Sequence, residues 1–348
     1  MRALTVIPLR AGSVRVDELG EVRPGAGELL VEGIAMGVCG TDLEIIRGDY
    51  GWAPPGKERL IIGHESLGHI LEAPSGSGFS RGDLVVGVVR RPDPVPCIHC
   101  ATGEWDMCDN GRYVERGIKA LDGYGAERYA LEPAFAIRLE SALASVGVLV
   151  EPTSVVAKAW DHVERIGRRA SWKPRIALVV GAGPIGLLAA LLGVQRGLQV
   201  HVLDRETEGL KPALVADLGA HYHVGRIADA CPRPDVVLEC TGVSFLIMDA
   251  IQHMAPGGVT CLMGVSASGQ ILKIETGMVN RQLVLENGVV FGSVNANRRH
   301  YEAAVEALGR ADKSWLEGLI TRRVGLKKLD EALERRSDDV KVVVDFTK

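Results

Sequence analysis

The chain has no surplus of positive charge. Against 44 Asp and Glu stand 40 Lys and Arg, a formal net of −4 over 348 residues, and no basic or acidic run breaks the balance. A dedicated nucleic-acid binder is normally basic, so that class is excluded. Internal repeats and low-complexity segments are lacking, and so is an uninterrupted membrane span. The one uncharged stretch of that length, Ile176 to Gln195, is broken by Gly181, Gly183, Pro184 and Gly186 and reads as a buried strand, turn and helix. Met1 to Val6 alternates like a β-strand and has neither the long apolar core nor the small-residue cleavage site of a signal peptide, which predicts a cytoplasmic protein. The seven cysteines do not pair in number. Cys39 stands alone, Cys97, Cys100 and Cys108 cluster, and Cys231, Cys240 and Cys261 lie far downstream. That distribution argues for metal ligands rather than disulfides.

What is present is the composition of a soluble globular protein: 47% hydrophobic, 24% charged, with 42 glycines for tight turns. At roughly 150 residues per domain the length predicts two domains. Up to about residue 150 the sequence reads as short strands between Gly, Pro, Asp and Ser: Leu29 to Ala35, Leu60 to Ile62, Ser66 to Glu72 and Leu84 to Val89. From Arg175 strands (Arg175–Val180, Gln199–Leu203, Asp235–Glu239, Val259–Met263) alternate with helices (Pro184–Arg196, Gly209–Leu218, Ser244–Met254). The apolar run Val289–Val294 follows, and this alternation marks βαβ units on a parallel sheet. Two amphipathic helices, Arg299–Arg310 and Leu326–Arg336, and a closing strand, Lys341–Phe346, do not continue it and are expected to return to the first domain.

Gly181-Ala-Gly183-Pro184-Ile185-Gly186 lies between a predicted strand and a predicted helix. There a GxGxxG fingerprint carries weight: the first glycine allows the turn, the second lets backbone approach a pyrophosphate, and the third packs helix on strand. The helix N-terminus then offers N–H groups and partial positive charge to phosphates. Asp204 ends the next strand, 23 residues after Gly181, in position to accept from an adenosine ribose. A carboxylate there opposes a 2′-phosphate, so NAD is favoured, while the neighbouring Arg205 leaves room for NADP. His221 and His223 flank Tyr222; their position at a strand start favours a surface or core role over a metal site. Cys231, Cys240 and Cys261 show no ligand spacing and read as buried apolar residues.

Cys39-Gly-Thr41-Asp42 precedes a helix-like Leu43 to Arg47, with Thr41 or Asp42 as the cap and Gly48 as the stop. A cysteine just before a helix is suited to bind metal as thiolate. Gly63-His64-Glu65 follows 25 residues later with an imidazole and a carboxylate side by side.

In their order along the chain, Cys39-Gly-Thr-Asp, Gly63-His64-Glu65, the cysteine cluster, Glu151-Pro and the glycine fingerprint resemble the zinc-dependent medium-chain alcohol dehydrogenases over essentially the whole chain. Glu115-Arg-Gly-Ile-Lys-Ala-Leu-Asp-Gly-Tyr-Gly, Glu151-Pro-Thr-Ser-Val-Val and Gly292-Ser-Val-Asn295-Ala-Asn with Arg299-His-Tyr narrow the likeness to the glucose dehydrogenase branch. The resemblance implies an α/β fold: a discontinuous GroES-like β-rich catalytic domain, residues 1–155 and 296–348, and a Rossmann NAD(P)-binding domain, residues 156–295. It implies catalytic zinc on Cys39 and His64, with Glu65 as ligand or near-ligand and Glu151 direct or through water, leaving a position open for substrate. Thr41 would contact the reacting hydroxyl and start its proton relay. Gly264, Val265, Ser293, Val294 and Asn295 would join the cofactor site, and Thr41, Arg90, Glu115, Glu151 and Asn295 the sugar site.

Cys97, Cys100 and Cys108 supply three of the four ligands that structural zinc requires. Where the family carries a further cysteine this chain has Pro94, so Asp93 is the candidate fourth ligand, ahead of His99 and Glu104. Val155 stands where some branch members carry an acidic sugar contact, which weakens glucose more than an aldose in general. The implied reaction is oxidation of the C1 hydroxyl of β-D-glucose to gluconolactone with hydride passing to NAD(P). A polyol or threonine-type zinc dehydrogenase is the alternative within enzymes, and a non-catalytic nucleotide-binding protein the alternative outside them. A homodimer or homotetramer is implied, paired through the edge strand Val289–Val294.

Overall fold

The computed structural model describes residues 1–231, 233–266, 269, 271–334 and 336–348. They form two compact units, one of Met1–Ser154 with Asn295–Lys348 and one of Val155–Val294.

The first unit is built on a seven-stranded sheet. In spatial order its strands are Ala136–Leu139, Leu84–Gly87, Glu65–Glu72, Leu29–Val38, Lys341–Asp345 and Ile320–Gly325, with Arg128–Leu131 also paired to Leu29–Val38. The last strand of the chain is therefore central. It lies antiparallel to Leu29–Val38, with Val343 opposite Gly37, and Glu65 pairs with the same Gly37 from the other side. Residues two apart on a strand share a face, so Lys341 shares a face with Val343. Apolar side chains of this sheet, of the sheet of Arg2–Val6, Arg15–Glu18 and Leu60–Ile61, and of the helix Gly40–Arg47 contribute to a core that includes Leu4, Met36, Ile45, Leu60, Ile62 and Val344. At about 1.5–3 kcal/mol for each fully buried aliphatic side chain, this core holds the chain's two ends together.

The second unit is a six-stranded sheet in the order His221–His223, Gln199–Leu203, Ile176–Val180, Val236–Glu239, Val259–Leu262 and Val289–Gly292. All its pairings are parallel. The sequence order 3-2-1-4-5-6 is that of a Rossmann sheet. Ala177 to Val180 and Val236 to Leu238 are fully buried, as expected of central strands covered on both faces.

The strands and helices read from periodicity are present with ends shifted by one to three residues. Other elements differ or were not read, among them the helix Thr276–Leu285 and the strands Arg128–Leu131 and Ala136–Leu139. The helix expected at Leu326–Arg336 is a 3-10 turn, Leu326–Lys328, followed by a short helix, Leu329–Leu333; Arg335 lies outside the described residues. A helix at Lys313–Leu319 and a strand at Ile320–Gly325 were not expected, because Ile-Thr-Arg-Arg-Val-Gly carries two arginines in an edge strand paired to Lys341–Asp345. The 18-residue helix Val150–Gly167 carries Glu151 in its first turn. Among the described residues no helix is long and apolar enough to cross a membrane.

Candidate functional site

One ligand atom each from Cys39, His64 and Glu65 comes within 4.8 Å of the others. Cys39 has extended backbone and is itself the cap of helix Gly40–Arg47, which ends at Gly48 in the left-handed conformation. The cap is thus Cys39 rather than Thr41 or Asp42. Asp42, three residues on, completes a capping box by accepting the Cys39 N–H at 2.9 Å. The same carboxylate reaches His64: Asp42 Oδ1 lies 3.4 Å from His64 Nδ1, and both atoms are buried with no hydrogen-bond partner among the described residues. A proton on Nδ1 facing Asp42 leaves Nε2 bare for an ion, the usual carboxylate support of a metal-bound imidazole. The donor set of one thiolate, one imidazole and one carboxylate fits zinc with a position left open.

Glu65 is buried, and both its oxygens accept from Lys341 Nζ, at 2.7 and 2.8 Å. Room for this carboxylate comes from Gly37, where a Cβ would stand 1.9 Å from Glu65 Oε2. Burial alone would lower the Lys341 pKa, but the Glu65, Cys39 and Glu151 charges outweigh it and hold the ammonium above its ordinary value. His64 follows the same logic: burial opposes its charge, and Asp42 with Cys39 raises it well above the usual range. Glu151 stands outside the converging trio. Burial pushes its carboxyl up to about 7; the His64 and Lys341 charges pull down, and those of Glu65 and Asp42 push up.

Arg90, Glu115 and Asn295 form one network. Glu115 Oε1 accepts from Arg90 Nε at 3.0 Å and from Asn295 Nδ2 at 2.6 Å, and Arg90 Nη1 donates to the Asp106 carbonyl at 3.1 Å. The guanidinium also lies 3.7 Å over the Tyr113 ring. Asn295 adopts φ 62°, an uncommon conformation outside glycine, and its own Oδ1 accepts the Ala296 N–H. A buried cation, a carboxylate and an amide so arranged suit a polyhydroxylated ligand.

In the cysteine lobe, sulfurs of Cys97, Cys100 and Cys108 come within 4.8 Å of one another. The Cys100 and Asp109 backbone N–H groups lower the Cys97 thiol pKa, while burial pushes Cys100 up to about 11. Asp93 is not brought into the set. Its carboxylate accepts from the Val95 N–H at 2.8 Å and from Arg112 Nε at 3.0 Å, and these bonds hold it in its own turn. The oxygens adjacent to the thiols are instead those of Asn110, 2.9 Å from Cys108 Sγ, and of Asp109 beside Cys97.

The nucleotide residues of the second unit gather at the carboxyl ends of its strands, where open α/β sheets bind ligands. Gly181 has φ 100°; a Cβ on Gly186 would lie 1.8 Å from the Gly181 carbonyl, whereas Gly183 faces open space. Gly183 caps helix Pro184–Gln195. The Asp204 carboxylate folds back onto this turn, accepting the Ala182 N–H at 2.5 Å and the Arg205 N–H at 2.7 Å. Gly264 and Val265 follow the Val259–Leu262 strand, and Ser293 and Val294 follow Val289–Gly292.

Lys341 and the second role of Asp42 were not found from sequence. A single lysine within Val340-Lys-Val-Val-Val was the available signal, since a buried amine needs a buried acid.

The sequence matches two family descriptions, Alcohol dehydrogenase GroES-like domain over residues 25–141 and Glucose dehydrogenase C-terminus over residues 144–346. A curated relative named glucose 1-dehydrogenase from Methanocella arvoryzae is 41% identical, with 99% of each chain covered. Another, glucose 1-dehydrogenase 2 from Vulcanisaeta moutnovskia, is 40% identical at the same coverage. The solved glucose dehydrogenase of Haloferax mediterranei, in complex with NADP, Zn and gluconolactone, superposes with a TM-score of 0.92 at 30% identity, covering 100% of both chains. With sequence, topology and site in agreement, the chain belongs to the zinc-dependent medium-chain alcohol dehydrogenases and, within them, to the glucose dehydrogenase branch.

Proposed function

We propose that the chain is a glucose (aldose) 1-dehydrogenase that oxidises the C1 hydroxyl of β-D-glucose to gluconolactone, with hydride passing to NAD(P). The observation that carries this reading is the joint presence, in one unit, of the Cys39, His64 and Glu65 donor set and the Arg90–Glu115–Asn295 network. Zinc on these ligands supplies Lewis acidity that lowers the pKa of a bound hydroxyl. Asp42 orients His64, Lys341 balances the charge of Glu65, and Thr41, in the first turn of its helix, contacts the reacting hydroxyl and starts its proton relay, accepting that proton as it hands on its own. Arg90, Glu115 and Asn295 pair with the remaining sugar hydroxyls and so discriminate against ligands that leave them unpaired. Glu151 bears on the same centre, as ligand or through water.

NAD is the preferred cofactor, because the Asp204 carboxylate is fixed by backbone N–H groups beside the phosphate-binding turn. The relative solved with NADP and the adjacent Arg205 keep NADP as a second cofactor. The Asp109 and Asn110 oxygens beside three thiols support a structural zinc in the lobe. Val289–Gly292 is a sheet edge, and Val284, Leu285 and Val294 around it are exposed, which supports a homodimer or homotetramer paired along that edge. Seven free cysteines, four of them thiolate-ligand candidates, suit a reducing cytoplasm.

The decisive experiment is turnover of zinc-loaded protein with aldoses, polyols and threonine, each with NAD and NADP. Glucose with NAD is expected to give the highest kcat/KM, with other aldoses next because Val155 offers no acidic contact. A polyol or threonine in first place would replace this reading, and no turnover with any of them would leave a nucleotide-binding protein.

A further inference from the structure

We propose that His201, His221 and His223 form a second kind of metal site, an all-imidazole site for a divalent ion of the zinc, nickel or copper class on one face of the nucleotide-binding sheet. The strand register creates it. His201 pairs with His221 and Leu203 with His223 on adjacent parallel strands. Alternate residues of a strand share a face, and paired residues of neighbouring strands do too. All three imidazoles therefore project from the same side. His201 Nδ1 lies 2.8 Å from His223 Nε2, with the rings 5.0 Å apart and 15° from parallel. The His221 ring is 4.9 Å from that of His201, while its nitrogens do not converge on the other two to within 4.8 Å without a turn of the ring.

Two ring nitrogens so close share one proton. A tetrahedral ion bound at about 2.0–2.1 Å holds its ligand nitrogens roughly 3.3–3.4 Å apart, so admitting it separates this pair by about half an ångström. His221 is exposed and completes the set by turning its ring. Each neutral imidazole keeps its proton on the nitrogen facing away, and water fills the remaining position. Burial, then the neighbouring imidazoles, lowers the pKa of His201, and burial with His221 lowers that of His223, so both are neutral near pH 7 as ligands must be. Nitrogen donors without carboxylates select borderline transition ions over magnesium or calcium. The ion would fasten the three-residue edge strand to its neighbour. That edge also meets the cofactor turn, since the Asp204 N–H donates to the His223 carbonyl at 3.1 Å.

The test uses the full chain holding only the zinc of its thiolate-containing sites, desalted so that the exposed imidazole site is empty, then dialysed against Ni(II), with nickel and zinc both counted by elemental analysis. One nickel per chain is expected to bind with no loss of zinc, no sulfur-to-nickel charge-transfer absorption and a raised Tm. His201→Asn combined with His223→Asn is expected to abolish the uptake and the Tm shift. His221→Asn, an exposed change that leaves folding and basal turnover intact, is expected to weaken uptake by an order of magnitude or more. Uptake equal in wild type and His221→Asn, uptake that displaces zinc or brings thiolate absorption, or no uptake at millimolar nickel would each overturn the proposal.

Discussion

Lys341 Nζ bonds both carboxylate oxygens of Glu65 in a pair of which neither side chain is more than 2% exposed. It links the last strand of the chain to the ligand cluster near its start. Breaking such a pair from one side leaves an uncompensated buried charge and costs about 3–5 kcal/mol. Lys341→Met is therefore expected to lower the Tm of the zinc-free protein markedly, and Lys341→Met with Glu65→Gln to recover much of the loss. Equal melting of wild type and Lys341→Met would show that the pair contributes nothing net.

A second charge cluster sets acid stability. Glu132 accepts from Arg91 at 3.1 and 2.7 Å and from Arg116 at 3.2 Å. Burial alone would raise its carboxyl, but the two guanidinium groups outweigh it and bring the pKa down to about 2. A depressed carboxyl binds its proton more readily in the unfolded chain, so its stabilisation is complete above the unfolded value near 4.5 and is lost as pH falls toward 2. The side chain is about one-third exposed, and solvent screening cuts the effect to the order of 1–2 kcal/mol. Glu132→Gln is expected to flatten the stability curve between those pH values. Parallel acid-unfolding curves for variant and wild type would remove Glu132 from this role.

The cysteine lobe makes a prediction about metal content. With the Asp93 carboxylate bound to Val95 N–H and Arg112, a zinc on the three thiolates takes its fourth ligand from Asp109, Asn110 or water. Purified protein is expected to hold two zinc ions per chain, falling to one in Cys100→Ser, while Asp93→Asn leaves the count unchanged. A count of one in wild type would mean that the lobe is held by packing alone.

These results separate what sequence can carry from what it cannot. Cys39, His64 and Glu65 were legible because their chemistry is written in residue type and their neighbours in the chain. The parallel sheet was legible because its central strands are rich in Val, Ile and Leu and the first three of them along the chain alternate with helices. Asp93 failed because adjacency to Pro94 says nothing about where a carboxylate points, and Arg112, which holds it, lies 19 residues away. Lys341 was missed because its partner is 276 residues away and the pairing exists only through the register of the Leu29–Val38 strand with its neighbours on both sides. His201 joined His221 and His223 in the same way, through a strand pairing that no local pattern reveals.

The preference between NAD and NADP is expected to turn on Asp204. Its Oδ2 accepts from Ala182 inside the glycine turn and its Oδ1 from Arg205 and Glu206, so the charge is held in place and does not swing away from a 2′-phosphate. At 4 Å and an effective dielectric near 20, that repulsion is on the order of 4 kcal/mol per unit charge before relaxation. Asp204→Ala removes the charge but also strips the Ala182 N–H of its acceptor, which loosens the turn for both cofactors. Asp204→Asn removes the charge and keeps one acceptor oxygen for the Ala182 N–H, while its amide NH2 takes the place of the oxygen that accepts from Arg205 and Glu206. Both variants are expected to raise the ratio of NADP to NAD kcat/KM by about tenfold or more, and Asp204→Ala alone to weaken both cofactors. A ratio unchanged in Asp204→Asn would assign the discrimination elsewhere, Arg205 being the first residue to examine.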